Sequence, residues 1–398
     1  MKTEKIPVKT ILNYLPDSLL ESLSLDFNID KQVKKLEGKI MFKLLLYGVL
    51  SSSQLSLNVL ISLFDKLGFR SLIGVDNDFT TKRNSLADRL IALDSSYFEA
   101  IFEHSVKIFS KHLPAHQING YSVRSFDSTL VACSAKLLDF GIQTGRKSKD
   151  ETCRYKFLKF TVGFNGQIPV KVKFYDKQPD LNDANALRET IREMSCSPKD
   201  VVIFDRGLQT RKVFDEFSVE NRLFVCRINP TKKFKVVENR PITPKCQTDR
   251  LVIETEQIVR LYNDANQLTK QSFRLIAAHK IDEPSEKLYF ITNILDDLSV
   301  IEITEIYRLR WEIERFFRFI KQNLNFSHFL SRNYNAIKNM AYVMLIAAMF
   351  IALFNKLNNR KGFKISKLAF LNELEIELVK ELIIQCNGDL NLINKYVT

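Results

Sequence analysis

The chain has 398 residues, 45% of them hydrophobic and 26% charged, with a formal net charge of +13. That is enough for two or three domains and a sizeable core, and the basic balance favours a polyanionic partner, nucleic acid first and an anionic membrane surface second. The six cysteines (Cys133, Cys153, Cys196, Cys226, Cys246, Cys386) include no C-x-x-C pair and the five histidines have no zinc-site spacing, so they read as ordinary reduced residues of a cytosolic protein.

In chain order, the opening MKTEKIPVKTILNYL has no long apolar run and does not read as a signal peptide. Residues 1 to about 115 predict helices, because KIMFKLLLYGVLSS and NSLADRLIALDSSYFEAIFEHSVKIF carry apolar positions at three- and four-residue spacing. Ser85 with Asp88 resembles a capping box at the start of the second stretch. YSVRSFDSTLVAC, from Tyr121, is β-branched and aromatic and predicts a strand, with Asp127 expected at a strand end. KFLKFTVGFNGQIPVKVKFYD predicts a hairpin around Asn165-Gly166. DANALRETIREM predicts a helix, and DVVIFDRG a short apolar strand ending in Asp205. Strands alternating with a helix imply a mixed α/β core. From about 211 to 300 the pattern is strands and turns without clear helices, a β-rich insertion; helices then run to the end. Met340–Phe354 is apolar but shorter than the roughly 18 residues of a spanning helix, so a buried core helix is expected and no membrane span.

Tyr307–Lys321, YRLRWEIERFFRFIK, carries the most information. Taken as one α-helix at about 100° per residue, Tyr307, Arg310, Glu314 and Lys321 fall within an arc of about 60°. Leu309, Ile313, Phe316 and Ile320 form a core-facing stripe. Phe317 lies beside the polar stripe. Glu312 falls roughly opposite Glu314, placed to pair with a neighbouring arginine. Helix pattern alone also allows a solvated amphipathic helix with an Arg310–Glu314 ion pair.

The spacing Tyr307-x2-Arg310-x3-Glu314-x6-Lys321 resembles the Y-R-E-K signature of cut-and-paste transposases in the insertion sequence 4 family. Asp127 in FDST resembles the first acidic motif of that family's D-D-E set, and Asp205 in IFDRG its second. A β-insertion between the second aspartate and the glutamate is also a family feature. The resemblance covers residues 120 to 340 or so. It implies an α/β, RNase H-like (retroviral integrase-like) catalytic core over 116–358 with a β-rich insertion at about 211–300. Helical regions would flank it: 1–115 for DNA binding and 359–398 for dimerisation.

The resemblance further implies that Asp127, Asp205 and Glu314 are catalytic and hold metal, and that Tyr307, Arg310 and Lys321 contact DNA near the cleaved end. Elementary chemistry agrees with the acids. Two neighbouring strand-end aspartates repel, so one keeps its proton unless a cation lies between them. Carboxylates suit hard ions, hence Mg²⁺ or Mn²⁺, and two ions about 4 Å apart can clamp an in-line phosphoryl displacement. The partners implied are double-stranded DNA (terminal inverted repeats and target) and a second copy as a homodimer, in a cytoplasmic, nucleoid-associated bacterial protein. Competing readings are an RNase H-like nuclease or resolvase that cuts without joining, and a domesticated, inactive DNA-binding protein.

Other residues leave alternatives open. Trp311 reads as packing or base-stacking, with packing preferred. His328 reads as a structural histidine. Lys147, Lys149 and Arg154 form a basic loop, either solvated or against a DNA backbone. Asp180 and Asp183 are the nearest rival acids, in a loop-like stretch. Some relatives in that family stack a flipped base on a tryptophan of the β-insertion; this insertion has none, so the device is absent or uses another aromatic.

Overall fold

The chain opens on helices α1 (Val8–Leu12), α2 (Asp17–Asp26), α3 (Gly38–Ser51), α4 (Leu57–Phe64), α5 (Leu67–Ile73), α6 (Arg83–Ala92) and α7 (Ser95–His112). The structure is a computed structural model describing residues 6–76, 78–133, 141–143, 156–208, 210–229, 233–242, 246–263, 265–326 and 329–391. Lys147, Lys149, Arg154 and His328 lie outside these residues. The long second stretch of the sequence divides at Leu93–Asp94, where Asp94 caps α7 by accepting the Ser96 N–H at 2.9 Å. Because α6 already starts at Arg83 behind an N-cap Lys82, Ser85 lies inside its first turn and is not a cap.

The middle of the chain is built from β1 (Gln117–Ile118), β2 (Tyr121–Cys133), β3 (Ile142–Gln143), β4 (Lys156–Phe164), β5 (Pro169–Tyr175), α8 (Asp183–Glu193) and β6 (Asp200–Phe204). There follow α9 (Arg211–Val219), β7 (Leu223–Arg227), β8 (Phe234–Arg240), β9 (Leu251–Leu261), β10 (Phe273–Lys280) and β11 (Lys287–Thr292). Helices α10 (Val300–Arg308), α11 (Arg310–Asn323), α12 (Tyr334–Leu357) and α13 (Phe363–Gln385) close the chain.

β2 runs parallel to β6, and β6 parallel to β7. On its other side β2 is antiparallel to β4, which pairs antiparallel with β5. The order β5-β4-β2-β6-β7 is the mixed sheet of an RNase H-like α/β core. Beyond β7 the same sheet continues through β11, β10, β9 and β8, all antiparallel. The stretch 211–300 therefore differs from its expected form in two ways. It contains a helix, α9, whose inward Val213, Phe214 and Phe217 keep helical spacing. Its strands also extend the central sheet rather than stand apart from it.

β6 is buried on both faces, and its period of two divides the core. Val202 and Phe204 face a cluster with α8 and α9, while Val201 and Ile203 face one with α10. A third cluster joins the N-terminal helices, α11–α13 and the β4–β5 edge. At its centre lies α12, in which every residue from Met340 to Phe354 is buried. This helix is long and apolar enough to cross a membrane, but 94% of its most apolar window is covered by protein.

Candidate active site

Asp205 follows the last residue of β6, so the strand itself delivers its carboxylate to the edge of the sheet. Its Oδ1 accepts the Gly207 N–H at 2.8 Å, a local turn that fixes the side chain over Arg206-Gly207. Asp127 does not end a strand as expected, because β2 continues to Cys133 against β4. It lies instead just beyond the parallel pairing, which stops at Ser125 opposite Ile203. The end of β6, and not of β2, opens the space into which Asp127 faces.

Asp205 acts on Asp127. Burial, then the Asp205 charge, push the Asp127 carboxyl up to about 7, and Glu314 adds to the rise; the Ser128 N–H and Arg310 oppose it. Asp205 and Glu314, from separate parts of the chain, thus both act on Asp127. Asp180 sits apart, in a 3₁₀ turn at Gln178–Leu181.

Tyr307 and Lys321 do not share one helix. The stretch breaks at Leu309 into α10 and α11, yet the Leu309 backbone stays near helical (φ −63°, ψ −11°), so the polar stripe survives. The Arg310 guanidinium lies 5.7 Å from the Tyr307 ring centre and 5.9 Å from that of Trp311. Its Nη1 is 2.6 Å from Glu314 Oε1. Burial works against the Arg310 charge, but Tyr307, Glu314 and Asp127 outweigh it and hold the guanidinium above its ordinary value. Burial pushes the Tyr307 hydroxyl up to about 12, so it stays a proton donor. Lys321 donates to Thr129 Oγ1, and burial lowers its pKa against the pull of Asp127. Glu312 is directed elsewhere and pairs with Arg315 at 3.0 Å. Ile313, Phe316 and Ile320 are buried as the core stripe requires.

Sequence reasoning missed Arg227, which closes β7 next to the strand carrying Asp205. Its charge is disfavoured by burial and by Arg206 and Arg310, while Tyr307 and Glu286 favour it. The nearest carboxylate is Glu286 at 3.7 Å. The Nε atoms of Arg227 and Arg310 are both buried without a hydrogen-bond partner among the described residues. The available signal was a cation ending the otherwise apolar LFVCR. Arg227, Tyr307, Arg308 and Trp311 line a cleft of about 740 Å³ between the β10–β11 region and α10–α11. Trp311 is 56% exposed, so the preferred packing reading does not hold for it.

Among the described residues no three His, Cys, Asp or Glu side chains stand close enough together to hold a metal ion. Glu314 is engaged by Arg310 instead. The donor chemistry nevertheless fits a hard divalent cation: the acids are carboxylates alone, and the strain on Asp127 is of the kind a cation relieves.

The mixed RNase H-like sheet thus sets Asp205 at the end of β6 and Asp127 within β2, with Arg310 and Lys321 acting on Asp127. The family described as the transposase DDE domain matches residues 118–350, and the chain belongs to that family. A Sinorhizobium fredii protein named as a transposase is 26% identical over 182 residues, 45% of this chain and 49% of that protein. One named as a transposase for an insertion sequence element of Synechocystis sp. is 24% identical over 308 residues, 77% of this chain and 78% of the relative. A third, so named from Geobacillus stearothermophilus, is 23% identical over 199 residues, 48% of this chain and 50% of its own length. The chain thus spans about half the length of the first and third of these. The fold resembles that of the piggyBac transposase in a synaptic complex with hairpin DNA, with a TM-score of 0.50 at 9% identity over 96% of this chain and 82% of that one.

Proposed function

We propose that the chain is a DNA transposase of an insertion sequence, cutting DNA at the element's ends and joining those ends to a target. The observation that carries this reading is the Asp127 carboxyl. It is half-buried beside Asp205 and pushed up to about 7, a pairing that costs stability and is relieved by a cation.

Asp127 and Asp205 would hold divalent metal, Mg²⁺ or Mn²⁺ and two ions in the full site, with Glu314 joining once it leaves Arg310. Metal bound there supplies Lewis-acid polarisation of a phosphoryl oxygen and activation of the attacking water or hydroxyl. The remaining residues position DNA. Arg310 can grip a phosphate with two parallel hydrogen bonds, which would take it from Glu314. Tyr307, protonated at neutral pH, donates to a phosphate oxygen. Lys321 adds a positive charge beside Asp127, and Arg227 offers a further guanidinium across the cleft. Duplex DNA, as terminal inverted repeat and as target, is the proposed partner. Two copies would hold the two ends, with residues 1–115 reading the ends and 359–398 supporting the dimer, in a cytoplasmic, nucleoid-associated setting.

The test is purified protein with a plasmid carrying the gene's native flanks, in Mg²⁺, Mn²⁺ or EDTA. Metal-dependent cuts at the flanks with joined products support the reading. Cuts without joining would replace it by a nuclease or resolvase, and flank binding without cuts by an inactive DNA-binding protein.

A further inference from the structure

The end of α12, the turn after it and the start of α13 read NKLNNRKGFKISK from Asn355 to Lys367: five cations and no acid. Lys356, Arg360 and Lys361 line a pocket of about 410 Å³, closed on its other side by Gly166 and Gln167 of the β4–β5 turn. No carboxylate lines this pocket, and none among the described residues pairs with these three cations. Elsewhere surface cations are routinely neutralised, as in Lys9–Glu381, Lys39–Glu21 and Lys380–Glu377. Lys356 complements the carbonyl end of α12, and Arg360 lies 5.3 Å from the centre of the Phe354 ring. Both roles orient the side chains without cancelling their charge.

Asn359 and Gly362 turn the chain at φ 49° and 85°. Gly166 has φ +93°, and a Cβ there would stand 2.7 Å from His116 Nδ1. The pocket is also distinct from the catalytic cleft. Asp127 pairs with Val162, and the β4–β5 turn begins three residues further along β4, about 10 Å away and toward the opposite end of β2.

We propose that this turn is a second phosphate-binding surface, which takes the backbone of duplex DNA apart from the strand held at the acids. Three like charges within one Debye length, without an acid, repel one another until a polyanion neutralises them. The contact is to phosphates and carries no sequence preference. It rests on the reading that the partner is DNA, and not on cleavage.

Each neutralised phosphate contributes about 0.9 to the slope of log K against log salt, so three contribute about 2.7. The experiment measures binding of the full chain to a labelled duplex of random sequence by fluorescence anisotropy, between about 50 and 200 mM salt. Lys356→Ala/Arg360→Ala/Lys361→Ala should lower the slope by about 2.7. Lys173→Ala/Arg192→Ala/Lys287→Ala removes the same net charge from sites paired with Glu193, Glu220 and Glu254 and should leave the slope unchanged. Should the triple variant lose thermal stability, Lys356→Gln/Lys361→Gln keeps Arg360 and should lower the slope by about 1.8. A patch variant that keeps the wild-type slope, or behaves as the Lys287 control does, overturns this inference alone. Wild-type protein that binds no duplex overturns it together with the proposed function.

Discussion

Asp127→Asn should stabilise the metal-free protein above neutrality, and the gain should shrink in acid. The Asp127 carboxyl moves from an ordinary 3.8 to about 7 in the fold. A raised value means that the fold favours the protonated form. Its contribution is therefore complete below about pH 3.8 and is lost as the pH rises through about 7. At about 1.4 kcal/mol per pH unit the full loss has an upper bound of roughly 4 kcal/mol, and relaxation around the carboxylate should bring it nearer 2. Asparagine keeps an acceptor for the Ser128 N–H, which Asp127 Oδ1 accepts at 2.8 Å, and removes the charge. Urea unfolding in EDTA should show the variant about 2 kcal/mol more stable than wild type at about pH 8, and less than half as much at about pH 5. Mg²⁺ should then erase the advantage, because ligand binding to the native state stabilises wild type alone. A variant less stable than wild type at pH of about 8, or a difference equal at both pH values, would refute the reasoning.

Three structural predictions follow from the same packing. Phe350→Ala should cost about 3–5 kcal/mol in urea unfolding, since the ring is buried between Phe109 and Phe370 and joins the N-terminal helices to α13. Gly166→Ala should cost about 1–3 kcal/mol by the same measurement, from its φ of +93° and the contact with the His116 ring. Trp311→Ala should change thermal stability by no more than about 0.5 kcal/mol, because the ring is exposed; a loss above about 2 kcal/mol would return it to a packing role.

The acids were legible for different reasons. Asp205 ends a wholly apolar run, and a strand buried on both faces leaves its next residue at the sheet edge. Asp127 was found by motif but placed wrongly, since a β-branched run shows that it is a strand without showing where its neighbour stops. The break at Leu309 could not be seen, because leucine suits a helix interior and the angular spacing survives the break. The β-rich stretch was read as strands, but its continuity with the central sheet depends on β7–β11 pairing between distant residues. The α9 helix escaped because nine residues give a periodic signal that the adjoining strands dilute. Arg227 belongs to the same class of omission: only the parallel pairing of β6 with β7 brings it beside the acids.

The most direct measurement compares Glu314→Ala with Glu312→Ala in metal-dependent cleavage of DNA carrying the native flanks. The two glutamates stand two positions apart on α11, one beside Asp127 and the other paired outward with Arg315. Cleavage should fall at least about a hundredfold in Glu314→Ala and remain at the wild-type rate in Glu312→Ala. Cleavage that survives Glu314→Ala, or is lost in Glu312→Ala, would contradict the assignment of Glu314 as the third acid of the site.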